Sequence, residues 1–131
     1  LWIGIAGLTP PDDPRFLKTI EAIEKHLVRD DLVYRYLCDD GLPGIEGAFL
    51  ICTTWLVEAY TLVGRHDDAR RVLSRVAALA GPTGLLTEEY DPSYKITLGN
   101  FPQAYSHLGV LNAAVRLRDE GTKGQSDKGT Q

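Results

Sequence analysis

Residues 46–63 read Glu46-Gly47-Ala48-Phe49-Leu50-Ile51-Cys52-Thr53-Thr54-Trp55-Leu56-Val57-Glu58-Ala59-Tyr60-Thr61-Leu62-Val63. At about 3.6 residues per turn, the apolar side chains among them point in every direction around a helix. A helix that is apolar all round must be covered on all sides. The spacing predicts this helix from about Glu46 to Val63, with Gly64 ending it. A similar helix is predicted from Pro102, where Ala104, Tyr105, Leu108, Val110, Leu111, Ala113, Ala114, Val115 and Leu117 leave charge only from Arg116 onward.

The other two helices have one dry face. The first opens at Asp13-Pro14, an N-cap followed by proline at the first helical position. Phe16, Ile20, Ile23 and Leu27 form its apolar stripe; Glu21, Glu24, Lys25 and Arg29 face water. The other, about Asp67 to Ala80, turns Ala69, Val72, Leu73, Val76 and Ala80 inward and Arg70, Arg71, Ser74 and Arg75 outward. Asp67 and Asp68 suit the positive end of its dipole, and Gly81-Pro82 stops it. Leu32-Val33-Tyr34-Arg35-Tyr36 alternates and reads as extended.

Two amphipathic helices are hard pressed to bury two all-round apolar ones in a chain of 131 residues. The expected fold is therefore all-α: inner apolar helices wrapped by outer amphipathic ones, a slice of an α/α barrel with neighbours from a longer chain. A helical solenoid is the alternative, weakened by the lack of a repeat at fixed period. The chain opens in mid-pattern with Leu1-Trp2-Ile3-Gly4-Ile5, so further sequence is expected before it. Residues 119–131, rich in Gly, Ser, Thr, Lys, Gln and acids, are expected to form a disordered tail.

Composition removes several functions. Fourteen basic against eighteen acidic residues give a net charge of −4 with no basic run. Neither a nucleic-acid nor a membrane partner is expected. The longest apolar run, from Ala48 to Val57, is interrupted by Thr53 and Thr54 and is too short to span a bilayer. With no signal peptide at the start, the expected location is cytoplasmic. Cys52 reads as a buried inert thiol; a disulfide to Cys38 has no support. No cofactor or metal is expected, since no zinc spacing or phosphate loop occurs.

In a ring of helices, the loops entering the inner pair share one rim. Here they are Leu37 to Glu46 and Thr83 to Phe101, and a loop of about nineteen residues is more often functional than idle. The second loop holds Thr87-Glu88-Glu89-Tyr90-Asp91-Pro92 and then Gly99-Asn100-Phe101-Pro102-Gln103-Ala104-Tyr105-Ser106-His107. These two motifs resemble the C-terminal signature of glycoside hydrolase family 15, which holds glucoamylases, glucodextranases and some bacterial trehalases. Residues 46–59 resemble the family's inner helix just upstream. Leu8-Thr9-Pro10-Pro11-Asp12-Asp13-Pro14-Arg15 and Asp31-Leu32-Val33-Tyr34-Arg35-Tyr36 fit its bacterial branch. The likeness spans about residues 1 to 118.

The resemblance implies an (α/α)6 barrel, an α-glucoside or oligosaccharide as substrate, and a catalytic domain whose remainder packs on this segment. Glu88 matches the family's general base; the general acid lies upstream and has no counterpart here. Inverting hydrolysis needs one carboxyl to protonate the leaving oxygen and one carboxylate to deprotonate water on the opposite face, roughly 6.5–9.5 Å apart. This chain therefore carries half of a catalytic pair and is expected to be inactive alone. Glu89 beside it is expected to face elsewhere, because a second carboxylate pointing the same way would oppose ionisation.

The candidate sugar-binding residues are Glu46, Tyr90, Asn100, Gln103 and His107. Each has a plainer role open to it. Glu46 could be a first-turn acid on its helix, while Gln103 and His107 could serve helix packing, and Trp55 and Tyr105 read as core. A non-catalytic helical scaffold or interaction module is the competing reading of the whole segment.

Overall fold

The computed structural model describes residues 1–38, 41 and 46–126, with side chains described as far as residue 120. The loop read from Leu37 to Glu46 falls mostly outside the described residues. A one-turn helix α1, Trp2–Ile5, precedes α2, Pro14–Leu27. Asp13 caps α2 as expected, its Oδ1 accepting the Arg15 N–H at 2.8 Å. Strands β1 (Val28–Arg29) and β2 (Leu32–Val33) form a hairpin. Its two turn residues, Asp30 and Asp31, both have positive φ, as a tight two-residue turn requires.

After β3 (Ala48–Phe49) comes α3 (Leu50–Leu62), then α4 (His66–Ala77) and a 3-10 turn over Ala78–Thr83. Strands β4 (Glu89–Asp91) and β5 (Ile96–Leu98) lead to α5, Ala104–Ser126. The chain is mainly helical, and all four expected helices are present.

Three expectations need correction. The helix read from Glu46 starts at Leu50, because Ala48 and Phe49 pair with Tyr90 and Glu89 in an antiparallel ladder. Strand hydrogen bonding there outweighs the helical apolar pattern. The supposed structureless loop over 83–101 contains the β4–β5 hairpin, turned by Asp91, whose Oδ1 accepts the N–H groups of Ser93 and Tyr94 at 2.7 and 3.1 Å. The resulting sheet, in the order β3-β4-β5, lies over the helix starts. At the other end α5 runs past Asp119 to Ser126, where a tail was expected; residues 127–131 lie outside the described residues.

Helix α3 is the centre of the fold. Leu56, Val57 and Ala59 are fully buried. They pack with Phe16 and Ile20 of α2, Ala69 and Val72 of α4, and Ala113 and Leu117 of α5. A second cluster, Leu32, Tyr34, Ala48, Leu50, Val76 and Leu86, lies beneath the small sheet. A polar clamp fixes outer to inner layer: Glu24 Oε1 accepts both the Tyr60 hydroxyl at 2.6 Å and an Arg65 N–H at 2.8 Å.

Helix α5 is covered on one side only. Tyr105, Leu108, Leu111 and Val115, spaced three or four residues apart, remain exposed, as do Trp2 and Ile3. A continuous apolar stripe of this kind marks a surface that another body covers. No helix among the described residues is long and apolar enough to cross a membrane.

The packing gives α3 a measurable weight. Replacing Leu56, which is fully buried, by alanine is expected to lower stability by about 2–5 kcal/mol. Denaturant unfolding checks this, and a loss no larger than that of a surface substitution would contradict the central place of α3.

Candidate active site

Residues 86–88 run between the first turns of α3 and α5 and are bonded to both sides. The Glu88 carbonyl accepts the Leu50 N–H at 3.1 Å, and the Glu88 N–H donates to the Asn100 carbonyl at 2.9 Å. The Thr87 carbonyl accepts the Ser106 hydroxyl at 2.7 Å, and its own hydroxyl donates to Leu98 O at the same distance. The Leu86 carbonyl accepts the Gln103 N–H at 2.8 Å. On its other side, Leu86 N–H donates to His107 Nε2 at 3.2 Å. His107 Nδ1 lies 2.7 Å from the Gln103 carbonyl. An acceptor at one ring nitrogen and a carbonyl at the other assign the neutral Nδ1–H tautomer.

The Glu88 side chain is aimed by its neighbours. Its Oε2 accepts two bonds from Asn100, the backbone N–H at 2.9 Å and the amide Nδ2–H at 2.8 Å. Gly99 makes that approach possible: at φ +71°, a Cβ there would lie 2.7 Å from Oε2 and 2.9 Å from Glu88 Cβ. Only glycine fits such a position without strain. Among the described residues no donor meets Oε1.

Glu88 borders a groove of about 730 Å³ along the seam between α3 and α5. One wall carries Phe49, Ile51, Trp55 and Glu58; the other carries Gln103, Tyr105, Ser106, Leu108, Gly109 and Asn112, with Trp2 and Asn100 completing the lining. Trp2 and Trp55 meet edge to face, ring centres 5.6 Å apart. Aromatic faces beside carboxylate and amide groups suit a ligand with apolar C–H faces and many hydroxyls.

Glu88, Asn100 and Gln103 are thus brought together. Tyr90, Glu46 and His107 are not part of the groove lining. Tyr90 packs against the second core cluster, with the Arg75 guanidinium 5.6 Å from its ring centre. His107 is used up in holding Leu86 to Gln103. Glu46 lies before β3 rather than in a helical first turn. Its Oε1 is buried without a hydrogen-bond partner among the described residues, 3.6 Å from Arg35, an ion-pair contact too long for a hydrogen bond. Trp55 and Tyr105, read as core, instead line the groove, and Tyr105 is 71% exposed. Glu58 and Asn112 were overlooked; the available signal was a polar side chain in the middle of an otherwise apolar stretch.

Glu89 faces away from Glu88, accepting the Gly47 N–H at 3.3 Å. Burial pushes its carboxyl above the usual range, reinforced by nearby Glu46 and opposed by the Gly47 N–H and Arg35. Cys38 and Cys52 are free, and burial pushes the Cys52 thiol up to about 11. Among the described residues, no three His, Cys, Asp or Glu side chains gather as a metal site.

The sequence of residues 1–115 matches the model of glycosyl hydrolases family 15. The chain belongs to that family. It is 43% identical over 120 residues to a trehalase of Mycobacterium tuberculosis, covering 89% of this chain and 18% of the relative. It is 45% identical over 120 residues to a trehalase of Thermoplasma volcanium, covering 91% and 19%. The chain therefore spans about a fifth of the length of these curated relatives. Among solved structures, a glycosidase variant in complex with glucose superposes with a TM-score of 0.72 at 26% identity, over 85% of this chain and 32% of that one. The wild-type glycosidase gives a TM-score of 0.70 at 27% identity over the same shares.

In this family 15 segment Glu89 yields a pH prediction. Its folded-state value lies above the ordinary 4.5, so the folded chain holds that proton more tightly. The associated stability is complete below the ordinary value and is lost as pH rises through the raised one. Glu89→Gln keeps an acceptor for Gly47 and removes the buried charge. Its Tm is expected to exceed that of the parent at about pH 7 and to converge with it below about pH 4. A variant less stable at neutral pH would contradict the cause given for the shift.

Proposed function

We propose that this chain forms the general-base side of an inverting glycoside hydrolase acting on α-linked glucosides. Trehalose is the first substrate to test, since it is named by the relatives' activity. The observation that carries the reading is the Glu88 carboxylate, held on one oxygen by Asn100 and bordering a groove at the starts of the two most apolar helices.

In the proposed step, Glu88 takes a proton from a water as its oxygen bonds to the anomeric carbon. The bond from that carbon to the glycosidic oxygen breaks on the opposite face. The leaving oxygen takes its proton from a general acid supplied by the rest of the catalytic domain, with the two carboxyls roughly 6.5–9.5 Å apart. Asn100 orients the base, while Gln103 and the Trp55 and Tyr105 rings face the sugar. The pairs α2–α3 and α4–α5 are then consecutive outer–inner pairs of an (α/α)6 barrel. The part of the exposed α5 stripe beyond the groove, Leu111 and Val115, is where the remainder of the ring packs. A stand-alone scaffold would cover α5 fully and leave no groove beside Glu88; the uncovered stripe and the groove both speak for the enzyme.

The test is Glu88→Gln in the full-length protein. Turnover of trehalose or another α-glucoside is expected to fall by about 10²–10⁴-fold with Tm unchanged, and the isolated segment is expected to show none. Near-normal turnover by the variant would remove the assignment.

A further inference from the structure

The middle of the α3–α5 seam holds a charge pair that the proposed chemistry does not use. Glu58 is only 5% exposed, within a helix otherwise buried in apolar contacts. Its Oε2 accepts the Arg116 Nε–H at 2.9 Å. Asp119 and Glu120, three and four residues along from Arg116 on α5, border the same cavity. The Arg116 bond nevertheless crosses to α3. Burying the Glu58 carboxylate is costly even with Arg116 still about a third exposed (32%), and an apolar pair would often stabilise a seam equally well. What a directional pair adds is a choice among alternative packings.

Such a choice exists here. Helices α3 and α5 run side by side in the same sense, since both begin beside residues 86–88 and meet again at Glu58 and Arg116. Smooth apolar helices can repack by sliding along their ridges, a turn at a time, about 5.4 Å. Gly109 provides one notch: a Cβ there would collide with Thr54 and come within 2.8 Å of Ile51. A notch allows close approach but leaves rotation and small slides open. The pair lies two turns beyond it along the seam. A slide would part the two sets of bonds that grip residues 86–88: Leu50 to the Glu88 carbonyl on the α3 side, and Gln103 and Ser106 to the Leu86 and Thr87 carbonyls on the α5 side.

We propose that the half-buried Glu58–Arg116 pair fixes the register of α5 against α3 and thereby positions the Glu88 carboxylate. Both are positioning residues: Glu58 borders the groove, but its Oε2 is taken by Arg116 and its effect runs through the helices. The catalytic consequence rests on the proposed role of Glu88; the structural consequence does not.

The experiment uses the full-length protein with the double substitution Glu58→Leu/Arg116→Met, which removes both charges and keeps the seam apolar. Tm is expected to stay within about 4 °C of the parent. Turnover is expected to fall about 10–100-fold with KM little changed, the signature of a misplaced catalytic group. Hydrogen exchange at the Leu50 and Asn100 amides is expected to accelerate. The charge-swapped Glu58→Arg/Arg116→Glu protein is expected to recover exchange protection at both amides. Parent-like exchange at those amides in the apolar double variant would overturn the proposal. So would a loss of turnover that merely tracks a loss of Tm. Glu88→Gln assayed alongside separates the claims: if it stays active, the base assignment fails, while amide exchange still decides the register.

Discussion

Three residues of extended chain, 86–88, lie between the starts of two helices, and their backbone groups find partners on both flanks. Half-buried main chain cannot leave such groups unpaired without a cost comparable to a lost hydrogen bond each. Leu50 therefore begins α3 where it does, Gln103 and Ser106 enter α5 where they do, and Glu88 is left in one place with its side chain turned to the seam. The groove follows from that clamp. Its walls are the faces of the two helices whose first turns the clamp holds.

The clamp in turn requires that the two helices be parallel neighbours with a fixed spacing. Burial of α3 on all sides supplies most of the cohesion. The outer helices α2 and α4 close the far side, anchored by Glu24, Tyr60 and Arg65 at one corner. Helix α5 is bound to α3 along one face and open along the other. The asymmetry suits a sector of a larger ring: its outward side is finished and its inward side awaits the neighbouring helices. Belonging to a family whose curated members are about five times longer is consistent with that geometry.

The layer logic was legible because burial imposes period. Phe16, Ile20 and Val72 announced helices with one buried face, and Leu56, Val57 and Ala59 a helix buried on all sides. The short sheet was not, since Ala48 and Phe49 continue the apolar run without a break and nothing local distinguishes two residues of strand from the first turn of a helix. Only the pairing with residues 89–90, some forty positions away, decides it. The linked motifs singled out Glu88 and Asn100, and the structure joins these two side chains by a hydrogen bond. Tyr90 and His107 sit in the same motifs but serve packing and loop anchoring. Spacing carries no information on which side a loop side chain turns. The groove wall went unread because Trp55 and Tyr105 match the pattern expected of a core.

The account stands on Glu88 accepting a proton from water that attacks the anomeric carbon. The most direct measurement is azide rescue of Glu88→Ala in the full-length protein with an activated α-glucoside. Azide needs no base and fits the space that the carboxylate leaves. The account predicts turnover that rises with azide concentration and yields the β-glucosyl azide, with none formed by the parent protein. Absence of rescue, or an α-configured product, would contradict it.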